Sequence, residues 1–157
     1  MKTMSPNLKP FLDTIAYSEI GEGLLQVSDN GYDVIVGSTA DRPILFNSYA
    51  DHPRRLMTVN GLQSTAAGRY QILKRYFDFY KAMLKLKDFS PASQDAIAMQ
   101  MFKECKALLD IEAGQFEHAV VKCNSRWASL PGAGYYQHEN NMADLRKAYL
   151  KAGGTLA

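Results

Sequence analysis

One glutamate carries the clearest chemical signal in this sequence. In the stretch Asn7 to Gly21, NLKPFLDTIAYSEIG, the residues Leu8, Phe11, Leu12, Ile15 and Ala16 recur at the spacing of one helix face. Glu19 continues that series, eleven positions after Leu8, so it projects within about 20° of it at roughly 100° per residue. A carboxyl group is thereby placed on the face that a helix buries. Gly21 follows and can end the helix, which puts Glu19 in the last turn, where the negative end of the helix dipole disfavours a negative charge. Apolar surroundings disfavour it too. Both effects keep a carboxyl protonated near neutral pH, the state a general acid needs.

A glycosidase of the ordinary kind pairs such an acid with a second carboxylate. Asp29, Asp33, Asp41 and Asp51 are the candidates, each equally at home in a turn, and spacing alone does not choose among them. Tyr32, Tyr49, Tyr70, Tyr135 and Tyr136 lie in or beside loops, where rings can stack on sugar faces and hydroxyls can bond sugar oxygens. Trp127 reads as core. His52, His118 and His138 are dispersed with no ligand spacing, so no metal site is expected. GxSxG and P-loop patterns are absent, leaving serine-hydrolase and nucleotide chemistry unsupported. Cys105 and Cys123, outside any CxxC pattern, read as two reduced, packed thiols.

The elements that must hold Glu19 follow from pattern. After the first helix, residues 22–62 are rich in Gly, Pro and turn signals such as Asp29-Asn30-Gly31. The β-prone runs Tyr32–Val36 and Leu56–Val59 lie between them. They predict a small irregular sheet or a pair of hairpins. From Ser64 the chain reads as helical to its end: a long stretch opening at Ser64–Gln71, a helix started by Ser90-Pro91, one over about 115–124, and a last one stopped by Gly153-Gly154. The expected fold is α+β, mainly helical with a small irregular β lobe and a groove between lobes, formed by 157 residues as a single domain. A net charge of +2 without a dense basic run gives no sign of nucleic-acid binding. No signal peptide or bilayer-length apolar run is seen, which points to a chain made in a cytoplasm and retained there until something releases it.

Several runs together resemble the lambda-type phage endolysins, the lysozyme-like murein transglycosylases, along almost the whole length. They are Phe11-Leu12-Asp13, Tyr17-Ser18-Glu19, Gly31–Gly37, Asp51-His52-Pro53-Arg54, Gly68-Arg69-Tyr70-Gln71, Lys87–Pro91, Ser93–Ala96 and Trp127–Tyr135. No single run is specific; their order and spacing are. Two places depart from the family pattern: Ile20 follows Glu19 where a glycine is expected, and residues 38–46 differ.

The resemblance implies a lysozyme-like endolysin domain over 1–157 and cleavage of the β-1,4 bond from N-acetylmuramic acid to N-acetylglucosamine, with 1,6-anhydro product ends and lysis of the bacterial host. It carries the catalytic role onto Glu19. The substrate-binding residues expected are Tyr32, Asp33, His52, Ser64, Thr65, Tyr70, Gln71 and Tyr135, with Ser64 and Thr65 also suited to starting a helix. No metal and no cofactor are expected. The partners implied are peptidoglycan glycan strands and a separate holin that releases a monomeric enzyme from the host cytoplasm to the periplasm, without stable membrane insertion. Two other readings stay open: a hydrolytic muramidase using a second carboxylate, and a glycan-binding virion protein without catalysis.

Overall fold

A computed structural model describes residues 5–134 and 138–157. The chain divides into two compact units, one made of the residues up to Glu19 with Ala98–Ala157, the other of Ile20–Ile97. Helix α4 (Pro91–Glu104) begins in the second and ends in the first. Among the described residues, no helix is long and apolar enough to cross a membrane.

The first unit is helical. α1 (Leu8–Ile20) buries Leu8, Phe11, Leu12, Ile15 and Ala16, the face its spacing predicts, and stops one residue before Gly21. α5 (Leu108–Glu112), α6 (Phe116–Cys123) and α7 (Met142–Lys151) complete it. The Asn141 side chain caps α7, its Oδ1 accepting from the Asp144 N–H at 2.8 Å. Rings fill the core: Phe11 meets Phe102 edge-on at 5.1 Å, Phe102 meets Trp127 at 5.6 Å, and Phe116 stacks on Tyr149 at 4.5 Å. Each fully buried side chain of this size contributes roughly 1.5–3 kcal/mol of transfer free energy. Asn7 ties the chain ends together. Its Nδ2 donates to the Ile111 carbonyl at 3.1 Å, and its Oδ1 accepts from the backbone and hydroxyl of Thr155.

Cys105 and Cys123 are both free thiols, and they hydrogen-bond to each other. The bond from Cys123, with the Arg126 charge and the Ser125 hydroxyl nearby, holds the half-buried Cys105 thiol below its usual range. Sharing that bond and being buried push Cys123 up. Thiolate character and access together set alkylation rates. Native protein at pH 8 is therefore expected to take one equivalent of iodoacetamide, at Cys105, with Cys123 reacting only after unfolding; peptide mapping that finds equal labelling of both would contradict this.

The second unit holds α2 (Glu22–Val27), one antiparallel hairpin of β1 (Met57–Val59) and β2 (Leu62–Ser64), and α3 (Lys74–Leu84). Three expectations change here. The run Tyr32–Val36 is not a strand. Its backbone bonds are scattered: the Ile35 N–H donates to the Ile44 carbonyl and the Asp33 carbonyl accepts from Phe46, while the Val36 N–H goes to Ala66 and the Val34 carbonyl accepts from Gly68, so only isolated bridges and no ladder form although Val34 and Ile35 are buried. The helix α2 occupies part of the stretch read as β. The long helix opens at Lys74, not Ser64: Ser64 closes β2, and Gly68 and Gln71 take positive φ values of 83° and 50°, which a right-handed helix excludes. The turn signal at Asp29–Gly31 does form a turn. Asn30 and Gly31 have φ of 50° and 85°, and the Tyr32 N–H donates to the Asp29 carbonyl at 2.9 Å.

Candidate active site

Glu19 sits in the last turn of α1, with its residue surface only partly exposed. Protein crowded around the carboxyl pushes its pKa up to about 8, against the lowering effect of a hydrogen bond from the Ser129 hydroxyl. The main cause is desolvation, the penalty that low-dielectric surroundings place on a carboxylate. Next to it, the Ser18 and Ser129 hydroxyls lie 2.7 Å apart, and the Asn140 side chain donates to the Ser18 carbonyl and hydroxyl at 3.0 Å each. At neutral pH this is a protonated carboxyl in a polar seat, able to give a proton to a departing oxygen and then to be held as a carboxylate. Ser129 and Asn140 carry no sequence signal for this role. They meet Ser18 across separations of 111 and 122 residues.

The second unit gathers several of the expected glycan-binding residues around Asp95. Its Oδ1 accepts from the hydroxyls of Tyr32 at 2.9 Å and Tyr70 at 2.6 Å. Arg69 lies over both rings, donates to the Tyr70 hydroxyl at 3.0 Å and reaches the Asn30 carbonyl through Nε. Burial, followed by the Asp95 charge, pushes the Tyr32 hydroxyl up; burial does the same for Tyr70. Tyr32 is half-buried, whereas Tyr70 is 1% exposed, with its hydroxyl bonded to both Asp95 and Arg69. Neither Asp95 nor Arg69 was singled out by spacing, because what recruits them is a pair of tyrosines distant in the chain.

His52 is likewise held by its neighbours. It is 2% exposed, its Nδ1 accepts the Arg54 N–H at 2.9 Å, and its Nε2 lies 2.9 Å from the Ile72 carbonyl. Packed against Phe77 and Phe89, with burial lowering its pKa, it is a neutral core imidazole with a partner at each ring nitrogen. Ser64 Oγ accepts from the Ala66 N–H at 3.1 Å. Thr65 Oγ1 accepts from the Lys74 N–H at 3.0 Å, starting α3, and Gln71 Nε2 donates to the Gly68 carbonyl at 2.8 Å. These three are half-buried polar groups that shape the turn before α3. Tyr135 and Tyr136 lie outside the described residues.

The candidate second carboxylates have structural partners of their own. Asp33 Oδ1 accepts from the Asp29 N–H at 2.9 Å, and Asp29 Oδ2 accepts from the Tyr49 hydroxyl at 2.5 Å. Asp51 takes the His52 N–H and pairs with Arg54, which also binds Asp78; the Arg54 bonds hold Asp51 and Asp78 below the usual carboxylate range. Asp41 is exposed. An open cavity of about 480 Å³ adjoins this cluster, lined by Leu45, Phe46, Ser48, Asp51, His52 and Arg55 among others. Among the described residues, no group of three or more His, Cys, Asp or Glu is placed to hold a metal ion.

Comparison with known proteins agrees along the chain. The family model described as Endolysin matches residues 9–156. An endolysin of Escherichia phage lambda is 49% identical over 150 residues, 94% of this chain and 92% of the relative; an endolysin of Escherichia phage P2 is 42% identical over 157 residues, 96% of this chain and 95% of the relative. Among solved structures, bacteriophage lambda lysozyme complexed with a chitohexasaccharide superposes with a TM-score of 0.91 at 46% identity, covering 100% of both chains. A second structure of lysozyme from bacteriophage lambda gives 0.87, again at 46% identity and full coverage.

Proposed function

Because this chain belongs to the endolysin family and shares the lambda lysozyme fold, we propose that it is a peptidoglycan lytic transglycosylase with Glu19 as its acid. The carrying observation is that carboxyl group, raised to about 8 by burial and bonded by a hydroxyl. Protonated Glu19 gives its proton to the glycosidic oxygen between N-acetylmuramic acid and N-acetylglucosamine. As the bond breaks, positive charge grows on the muramic acid ring. The new Glu19 carboxylate then takes the proton of that sugar's own O6 hydroxyl, which attacks the ring carbon and closes the 1,6-anhydro bridge. An internal nucleophile gains the usual advantage of proximity, and no second carboxylate is required to activate water. The lambda lysozyme was solved with a chitohexasaccharide; we extend that glycan class to this chain, with half-buried Tyr32 and Asp33 as the binding residues best supported, and Ser64, Thr65 and Gln71 shaping the adjoining turn.

The family match runs through both units, which supports reading 1–157 as one endolysin domain. In this reading the enzyme is a monomer without a cofactor, acts on glycan strands and not on nucleic acid, and meets its substrate in the periplasm after a separate holin releases it from the host cytoplasm.

Mass spectrometry of digested murein sacculi tests the reaction directly. Anhydro-muramic ends are expected; reducing ends would replace this reading with a muramidase. The same assay tests the number of carboxylates. Asp33→Asn keeps an oxygen able to accept the Asp29 N–H, and Asp51→Asn removes part of an exposed ion pair worth about 0–1 kcal/mol. Both variants are expected to solubilise more murein at saturating substrate than Glu19→Gln. Catalytic groups that work as a unit fail together, so a folded Asp variant as inactive as Glu19→Gln would favour two carboxylates.

A further inference from the structure

We propose that Ser18, Ser129 and Asn140 form a directed hydrogen-bond chain in which Asn140 is a positioning residue for the Glu19 carboxyl. This rests on Glu19 being the acid. Three contacts close a ring. Asn140 Nδ2 donates to Ser18 Oγ at 3.0 Å, Ser18 Oγ meets Ser129 Oγ at 2.7 Å, and the Asn140 backbone N–H donates to the Ser129 carbonyl at 2.8 Å. The same Nδ2 donates at 3.0 Å to the Ser18 carbonyl, one of the acceptors that the end of a helix leaves without an intrahelical partner. Asn140 thus fixes both the last turn of α1 and the segment bearing Ser129.

The direction of the chain follows from donor counting. An amide NH₂ only donates, and a hydroxyl has one proton. Ser129 gives its one proton to Glu19, so the 2.7 Å contact is donated by Ser18 Oγ, which in turn accepts from Asn140. The chain therefore ends in a donor pointing at the carboxyl, and it strengthens when that carboxyl becomes charged. Burial and the Ser129 bond are the two influences on this carboxyl among the described residues, and they oppose each other. Burial keeps the proton on before the reaction. The chain receives the carboxylate after the proton has left, which lowers the cost of the step and holds the group where it can take the O6 proton.

A merely structural anchor and a directed chain differ in what Ser18→Ala does. That variant keeps the Asn140 bond to the Ser18 carbonyl, so the anchor survives, but it cuts the chain of hydroxyls. Ser18→Ala, Ser129→Ala and Asn140→Ala are each expected to lower kcat on purified murein glycan strands about tenfold, the worth of one lost hydrogen bond of about 1.4 kcal/mol. KM should stay within about twofold. The alkaline limb of the kcat–pH profile should move to higher pH in all three, most in Ser129→Ala, where the carboxylate loses its donor, and less in the other two, where that donor loses the bonds that orient it. Ser129→Thr, which keeps a hydroxyl, should restore the profile. The Ser129→Ala/Asn140→Ala double variant should be no slower than the worse single one, since groups in one chain are not additive. A Ser18→Ala enzyme with the wild-type limb and kcat, or strictly additive losses in the double variant, would overturn the chain. Glu19→Gln, measured alongside, separates the two failures: an active Glu19→Gln enzyme removes the acid itself, whereas an inactive one beside unaffected serine and asparagine variants removes only the chain.

Discussion

Glu19→Gln is expected to give a folded protein that no longer lyses permeabilised Gram-negative cells, with turnover lower by at least the roughly 10²–10⁴-fold that general acid–base catalysis contributes. Glutamine matches the shape of glutamate and can still accept from Ser129, but it has no proton to give. The same substitution should act on stability in a pH-dependent way. The Glu19 pKa is raised from 4.5 to about 8 in the folded protein, so between those values the folded chain keeps a proton that the unfolded chain releases. Wild-type stability therefore falls as pH rises through that window, and the loss is complete above about 8. Glutamine carries no such cost. The variant should melt close to wild type near pH 4 and higher than wild type at pH 9, with the gap opening between. A dead variant whose melting difference does not change with pH would mean that the carboxyl is not held protonated by the fold. Near-normal lysis by a soluble variant would end the case for Glu19 as the acid.

Gly68→Ala is expected to be the most damaging small substitution in the second unit, at about 3–5 kcal/mol. A methyl group there would lie 2.3 Å from Gln94 Oε1 and 3.0 Å from the Phe89 ring, on a backbone with φ of 83°. Gln94 is fully buried and cannot simply move aside. Its Oε1 accepts the Arg69 N–H at 2.9 Å, and its Nε2 donates to the carbonyls of Phe89 at 2.9 Å and Tyr32 at 3.1 Å. Displacing it strands the buried Arg69 N–H and Phe89 carbonyl, each costing about 1–3 kcal/mol when left unpaired, and the half-buried Tyr32 carbonyl as well. The melting temperature should fall by roughly 10 °C for a chain of this size. A Gly68→Ala protein melting within about 2 °C of wild type would show that the Gln94 hub relaxes at little cost.

Gly68 also shows why part of this fold was hidden from sequence reading. The residues Ser64–Gln71 carry capping types ahead of an apolar periodic stretch, and by local rules they open a helix. What prevents it is the demand that the backbone at Gly68 lie against Gln94 and donate to the Val34 carbonyl at 2.8 Å. That demand comes from distant segments. The run Tyr32–Val36 departs from its local pattern for a related reason: its residues are β-prone, but the surrounding segments offer single bridges in place of a continuous partner strand.

The amino-acid sequence by itself determined the features that depend on neighbours along the chain. These are the buried face and end of α1, with Glu19 in its last turn, the Asn30-Gly31 turn, the Ser90-Pro91 start of α4 and the final helix before Gly153-Gly154. Dihedral preference, capping and 3.6-residue periodicity act over a few residues, so they can be read there. Only the tertiary structure decided how far the Glu19 carboxyl is desolvated and which hydroxyl bonds to it, that Asp95 collects the hydroxyls of Tyr32 and Tyr70, and that His52 is a core residue between Phe77 and Phe89. A pKa and a hydrogen-bond partner are set by the groups within a few ångströms, and here those groups arrive from segments up to 122 residues away.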